Sequence, residues 1–123
     1  MAWFSATLIN VIRLRAGEQG SYPVWEDICL IEASADDEAL RKAEALGRSR
    51  ESDDPTLTLD GQPATLAFCG VRKIARVINP LDVSEDAAPL HGSEMAFSKY
   101  SVLSSADVEK LVRGESVNVI YEE

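Results

Sequence analysis

The sequence predicts a single α+β domain over residues 1–123, in which a largely antiparallel sheet of five or six strands carries a main helix on one face and a second helix follows near the C-terminus. Three observations support this prediction. The segments follow one another as strand, strand, helix, hairpin, strand and helix, without the regular alternation that a parallel sheet requires. A chain of 123 residues is long enough for one core. An Asp-Gly pair between two β-prone segments indicates a tight hairpin.

The first two strands are predicted to pair with each other. Residues 3–15 carry apolar side chains on both faces, which is typical of a strand inside a sheet. Residues 16–23 contain two glycines and a proline among polar residues, and they predict a loop. Residues 24–33 are predicted to form the second strand, antiparallel to the first.

The main helix is predicted over residues 34–47. Alanines recur every fourth residue between positions 35 and 43, and such small side chains favour close packing against a sheet. Ser34 is expected to cap the first turn together with Asp37. Gly47 is expected to end the helix with a positive φ.

A hairpin is predicted after the helix. Asp60 and Gly61 separate a short strand at residues 56–59 from a long strand at residues 64–78, in which Gly70 indicates a bulge or bend. Alternation predicts two faces on the long strand, with Leu66, Phe68, Ile74 and Ile78 on one and Ala67, Cys69, Val71, Ala75 and Val77 on the other.

The C-terminal part is predicted to add a strand, a helix and an edge strand. Residues 93–103 form the strand, and Ser104 begins the helix with Asp107 in an S-x-x-D capping motif. Gly114 ends the helix, and residues 116–121 are predicted to be a short edge strand, which offers a route to a homodimer. Three apolar residues are predicted to form the buried face of this helix, Val108, Leu111 and Val112.

The charge balance indicates the class of partner. The formal net charge is −9, which repels phosphate backbones and anionic membrane surfaces and favours basic protein partners. Neither a nucleic acid nor a membrane is therefore expected as a partner. Arg72, Lys73 and Arg76 form a local cationic run, but no aromatic residue is interleaved with them, so the run does not predict nucleic-acid binding.

The two cysteines are predicted to be buried free thiols. Cys29 and Cys69 lie in apolar strand-like segments, they form no C-x-x-C motif, and the chain has one histidine. No metal site and no cofactor is expected. The absence of a secretory leader and of an 18-residue apolar segment leads us to expect a cytoplasmic protein.

Residues 79–92 form the longest predicted connection, and connections of this length are often functional. This connection and its flank, residues 79–94, form the acidic loop, in which four carboxylates, Asp82, Glu85, Asp86 and Glu94, occur without a lysine or arginine. They predict the partner-binding surface.

Two classes of function follow from these observations. The first is a non-enzymatic protein-binding module, such as an immunity or inhibitor protein that neutralises a basic toxin or nuclease. The second is a small enzyme or ligand-binding protein that uses the acidic loop around His91. The sequence contains no nucleophile–base motif, no glycine-rich phosphate loop and no metal-ligand spacing, so no catalytic residue is assigned and the first class is favoured.

Four sequence motifs carry a resemblance to a known family: W-F-S-A-x-L at residues 3–8, E-A-x-A-x-x-E-A-L-x-K-A-E-x-L-G at residues 32–47, F-x-G-V at residues 68–71 and G-S-E-M-x-F at residues 92–97. The chain resembles a family of small bacterial proteins known as a domain of unknown function. The resemblance covers roughly residues 3 to 103 and implies a fold and a bacterial origin, while the second helix and the tail look like an addition. It implies no catalytic residue.

Overall fold

The α+β fold is present in the computed structural model, which describes residues 1–52, 54–84 and 86–122. The described residues form β1 (Ala2–Leu14), β2 (Val24–Ala33), α1 (Asp36–Ser49), β3 (Thr58–Leu59), β4 (Gln62–Arg76), β5 (Lys99–Ser101), α2 (Ser105–Val112) and β6 (Ile120–Glu122). These strands do not form one sheet of five or six. They divide into a four-stranded antiparallel sheet of order β2-β1-β4-β3 and a two-stranded sheet of β5 and β6.

β1 lies inside the four-stranded sheet, as its two apolar faces predict. It pairs antiparallel with β2 from Ala2↔Ala33 to Val11↔Val24, and with β4 on its other side. Phe4 and Leu8 are fully buried on the face of β1 that packs against α1. The core of the protein therefore lies between this face of the sheet and α1.

Two bulges interrupt the alternation of β4. The register against β1 skips Arg72 and Cys69, so each adds one residue to β4 that has no partner in β1. As a result Phe68, Val71 and Ile74, which are spaced by three residues, all pack against the core. The predicted placement of Val71 on the opposite face is wrong, because strict alternation does not continue through a bulge.

The turn between β3 and β4 confirms the predicted hairpin. Leu59 pairs with Gln62, which leaves Asp60 and Gly61 as a two-residue loop. Both loop residues have positive φ, 52° and 79° respectively. This is the conformation of a type I′ turn, whose twist matches that of the flanking strands and which favours Asp-Gly.

The N-terminal end of α1 differs from the predicted capping. The cap residue is Ala35, whose side chain accepts no hydrogen bond. The hydroxyl and the backbone N–H of Ser34 both donate to the carboxylate of Glu38, so the pairing of Ser34 with Asp37 is wrong. The carboxylate one residue further along the helix reaches back to Ser34, and this contact ties the end of β2 to the first turn of α1.

The C-terminal end of α1 lies two residues beyond the predicted one. Gly47 is a buried helical residue without a positive φ, and α1 continues to Ser49. The expectation that Gly47 ends the helix is therefore wrong. A Cβ atom at position 47 would lie closer than 3.0 Å to three atoms of the Phe68 ring, so this glycine allows α1 to approach β4.

The contact between Ser34 and Glu38 predicts a stability change in acid. The hydrogen bond from Ser34, followed by the interaction with Lys42, lowers the pKa of Glu38 from its ordinary value of 4.5 to about 2. The unfolded chain therefore binds this proton at a higher pH than the folded chain does. The stabilisation is complete above pH 4.5, and it is lost as the pH falls from 4.5 towards 2.

We expect Glu38→Gln to remove this part of the acid dependence. Urea denaturation between pH 6 and pH 2 should give a shallower fall in the free energy of unfolding for the variant than for the wild type. Glu109→Gln, which removes an exposed carboxylate from α2, is the matched control. Equal slopes for Glu38→Gln and the wild type would contradict the assigned contact.

α2 begins and ends as predicted, but it lies apart from the core. The hydroxyl of Ser104 accepts a hydrogen bond of 3.1 Å from the backbone N–H of Asp107, and Gly114 has a φ of 77°. Within the described residues α2 packs against no other helix or strand. The predicted burial of its apolar face is wrong, since Val108 and Val112 are exposed, because α2 joins β5 to β6 outside the four-stranded sheet.

The predicted strand at residues 93–103 is mostly irregular. Only Lys99–Ser101 forms a strand, and it pairs with β6, so residues 116–121 are strand only at their end. Glu94 forms an isolated antiparallel bridge with Ile78. Residues between this bridge and β5 cross from the large sheet to the small one without regular pairing.

Candidate functional site

The predicted acidic loop is braced from within. The side-chain amide of Asn79 donates to the carbonyl of Ala87 at 2.8 Å, and the hydroxyl of Ser93 donates to the Asn79 side-chain oxygen at 2.6 Å. Two backbone hydrogen bonds between Ile78 and Glu94 close the base of the loop. These contacts hold the two ends of the loop together and fix its path.

The carboxylates of this loop face the solvent. Asp82, Asp86 and Glu94 are exposed, and none of them forms an ion pair within residues 1–52, 54–84 and 86–122. Glu85, the fourth predicted residue, lies outside the described residues. Leu81, next to Asp82, is fully exposed. The loop therefore presents an apolar side chain beside uncompensated negative charge.

His91 is not brought into a site with these acids. Its side chain is exposed and makes no hydrogen bond or ion pair with any residue that the structure describes. Nowhere in residues 1–52, 54–84 and 86–122 do three or more histidine, cysteine, aspartate or glutamate side chains form a group that could hold a metal ion. No described helix is long and apolar enough to cross a membrane.

The cysteines are free, as predicted, but the predicted burial is wrong for both of them. Cys29 is half-buried and accepts a hydrogen bond of 3.0 Å from Arg50, whereas Cys69 is exposed and lies 3.7 Å from a guanidinium nitrogen of Arg13. The burial expected for Cys69 is wrong because this residue is one of the two bulged positions of β4.

The structure contains a second candidate binding surface, which the sequence does not predict. A cleft of about 590 Å³ opens where β4 meets β5 and β6. β4 forms one wall of the cleft, and residues 97–99 together with β6 form the other. Three cations and two aromatic rings line it, Arg72, Lys73, Lys99, Phe97 and Tyr121.

Two of the cations in this cleft each lie over one of the two aromatic rings. The guanidinium carbon of Arg72 lies 4.5 Å from the centre of the Tyr121 ring, and the ammonium of Lys73 lies 3.7 Å from the centre of the Phe97 ring. No aromatic residue is interleaved with Arg72 and Lys73 in the sequence, but the fold brings Tyr121 and Phe97 to them. Phe97 lies 24 residues after Lys73 in the sequence, and Tyr121 lies 49 residues after Arg72. The local sequence pattern around the two cations therefore does not predict these contacts.

Comparison with known proteins identifies the first three quarters of the chain. The family described as "Domain of unknown function (DUF4288)" matches residues 3–96. Neither a curated protein nor a solved structure matches the chain. The match includes Arg72 and Lys73 but ends before Phe97, so the second wall of the cleft lies beyond it. Because the match spans most of its length, the chain belongs to the DUF4288 family, whose function is not known.

Proposed function

We propose that the protein is a non-enzymatic binding module that captures a basic protein through the acidic loop, in the manner of an immunity or inhibitor protein that neutralises a toxin or nuclease. One observation carries this proposal: Leu81 is fully exposed beside the unpaired Asp82 on a loop that Asn79 braces. The exposed leucine gives the loop an apolar contact beside its negative charge.

The apolar and the charged parts of this surface have different roles. Burying a leucine side chain contributes about 1.5–3 kcal/mol to association. The internal hydrogen bonds of Asn79 reduce the entropy that the loop loses on binding, because its path is already fixed. The carboxylates attract a cationic surface from a distance and accelerate its encounter with the loop.

The test removes the loop charges and follows the partner. Proteins captured from a host extract are identified by mass spectrometry, and association of the purified partner is then measured at several salt concentrations. We expect the triple variant Asp82→Asn, Glu85→Gln, Asp86→Asn to associate about tenfold more slowly at low salt, with a smaller difference at high salt. Its free energy of unfolding should stay within about 0.5 kcal/mol of the wild type.

A second triple variant controls for net charge. Asp36→Asn, Asp60→Asn and Glu109→Gln also remove three exposed carboxylates, but none of them lies in the acidic loop. This variant should associate at a rate close to that of the wild type. If both triple variants slow association equally, the loop is not the contact surface and the effect belongs to the total charge.

A further inference from the structure

We propose that the cleft between β4 and the β5–β6 sheet binds a nucleoside monophosphate, with the phosphate held by Arg72, Lys73 and Lys99 and the base against Phe97 and Tyr121. This site is separate from the acidic loop, and it does not depend on the function proposed for that loop.

The charge of the cleft opposes the charge of the whole protein. The net charge is −9, yet three cations converge on one cavity. In the described part of the chain none of the three forms an ion pair with a carboxylate. The carboxylate of Glu122, which also lines the cleft, accepts a hydrogen bond of 2.7 Å from the hydroxyl of Ser101. Three cations and one carboxylate line the cleft, so its lining is positively charged, and an anionic ligand would compensate this charge.

The stacking of Arg72 suits a phosphate. A guanidinium that lies over an aromatic ring keeps its plane fixed while the N–H groups at its edge remain free to donate. Arg72 holds this position over Tyr121. The N–H fork of an arginine matches two oxygens of a phosphate, and the ammonium groups of Lys73 and Lys99 add positive charge beside it.

The rings suit a flat aromatic base. Phe97 is 48% exposed and Tyr121 is 49% exposed, so about half of each side chain is accessible to a ligand. The ring of Tyr100 meets that of Tyr121 edge to face, with 5.7 Å between ring centres. A base stacked on such rings gains about 1–3 kcal/mol, and every base offers a face for stacking.

Size and charge together favour a single nucleotide over a polymer. A cavity of about 590 Å³ lies in the range of small-molecule sites. A long single strand would leave the cleft and cross a surface that is negatively charged overall, and this repulsion acts over about 8 Å at physiological salt. A mononucleotide keeps all of its charge within reach of the three cations.

The ring–cation contacts also have a purely structural interpretation, in which they attach the C-terminal segment to β4. Lys99 separates the two interpretations. It lines the cleft, but its side chain makes no ring contact, hydrogen bond or ion pair with the described residues. Removing its charge should therefore weaken ligand binding without loosening the attachment of the segment. Lys110, an exposed lysine on α2, is its matched control.

Binding is measured by isothermal titration calorimetry on the full chain at low salt. The ligands are the four ribonucleoside monophosphates, inorganic phosphate, adenosine and a 20-nucleotide single-stranded DNA, and sodium chloride is the blank. We expect the monophosphates to bind with a Kd below about 1 mM, and phosphate alone and adenosine alone to bind at least about tenfold more weakly. We expect Lys99→Gln to weaken binding about tenfold, and Lys110→Gln to leave it unchanged.

A variant of the ring tests the second half of the site. Phe97→Ala should bring the affinity for a monophosphate close to that for inorganic phosphate, while the circular dichroism spectrum stays that of the wild type. The proposal is overturned if no monophosphate shows binding at concentrations up to about 10 mM, which is tenfold above the expected upper limit of the Kd. It is also overturned if Lys99→Gln binds a monophosphate as tightly as the wild type does, or if the DNA binds more tightly than any monophosphate. Equal affinity for phosphate and the monophosphates would also overturn it.

Discussion

Replacing Leu8 by alanine should lower the free energy of unfolding by about 2–5 kcal/mol. Leu8 is 0% exposed and lies at the centre of β1, in the cluster that joins the sheet to α1. The substitution removes its contacts and leaves a cavity, because the strands on both sides hold β1 in place. A small domain is stable by only about 5–15 kcal/mol, so this is a large fraction of the total.

The chain provides a control of the same chemistry. Leu81→Ala removes the same atoms from a fully exposed site, and its free energy of unfolding should stay within about 0.5 kcal/mol of the wild type. Urea denaturation of the three proteins gives the comparison directly. Similar losses in the two variants would show that the face of β1 assigned to the core is not the one that packs.

Gly47→Ala should destabilise the protein although alanine is the better helix former. The gain in helix propensity is about 1 kcal/mol, whereas the overpacking against Phe68 costs about 1–3 kcal/mol. The expected net loss in the free energy of unfolding is therefore up to about 2 kcal/mol. Gly20→Ala is the control, since a Cβ atom there meets no atom within 4 Å, and its effect should stay below about 0.5 kcal/mol.

A double-mutant cycle identifies the cause of this loss. If a clash with the ring is responsible, Gly47→Ala should cost much less in a Phe68→Leu background, because the shorter side chain leaves room for the methyl group. A positive φ at position 47, which the sequence predicts and the structure does not contain, would give the same cost in both backgrounds. The cycle therefore distinguishes the two accounts of this glycine.

The parts of the fold that depend on neighbouring residues could be predicted from the sequence. Asp60 and Gly61 specify a two-residue turn by their own backbone preferences, and Ser104 caps α2 through an N–H three residues away. The bulges at Cys69 and Arg72 could not be located in this way, because they are defined by the register against β1, some 60 residues distant. The exposure of Val112 is likewise set by where α2 lies, not by its amphipathic pattern.

The candidate sites divide along the same line. Asp82, Asp86 and Glu94 are found on an exposed loop, which their polar and proline-containing surroundings predict. The cleft depends on Phe97 and Tyr121 meeting Lys73 and Arg72, and this arrangement arises only when residues 97–122 fold back onto β4. The one available signal in the sequence is that the C-terminal segment contains aromatic residues, Phe97 and Tyr121, for which the sequence predicts no place in the core.

The separation of α2 and the small sheet from the core has a consequence for local stability. In the described part of the chain β5 and β6 pair only with each other, and ring–cation contacts of Phe97 and Tyr121 join the segment of residues 97–122 to β4. We expect such a segment to open in a step that leaves the four-stranded sheet intact, and its amide hydrogens should exchange with solvent faster than those of β1. A ligand held between its two walls stabilises the closed form alone, and hydrogen exchange within residues 99–122 would slow in proportion to ligand occupancy.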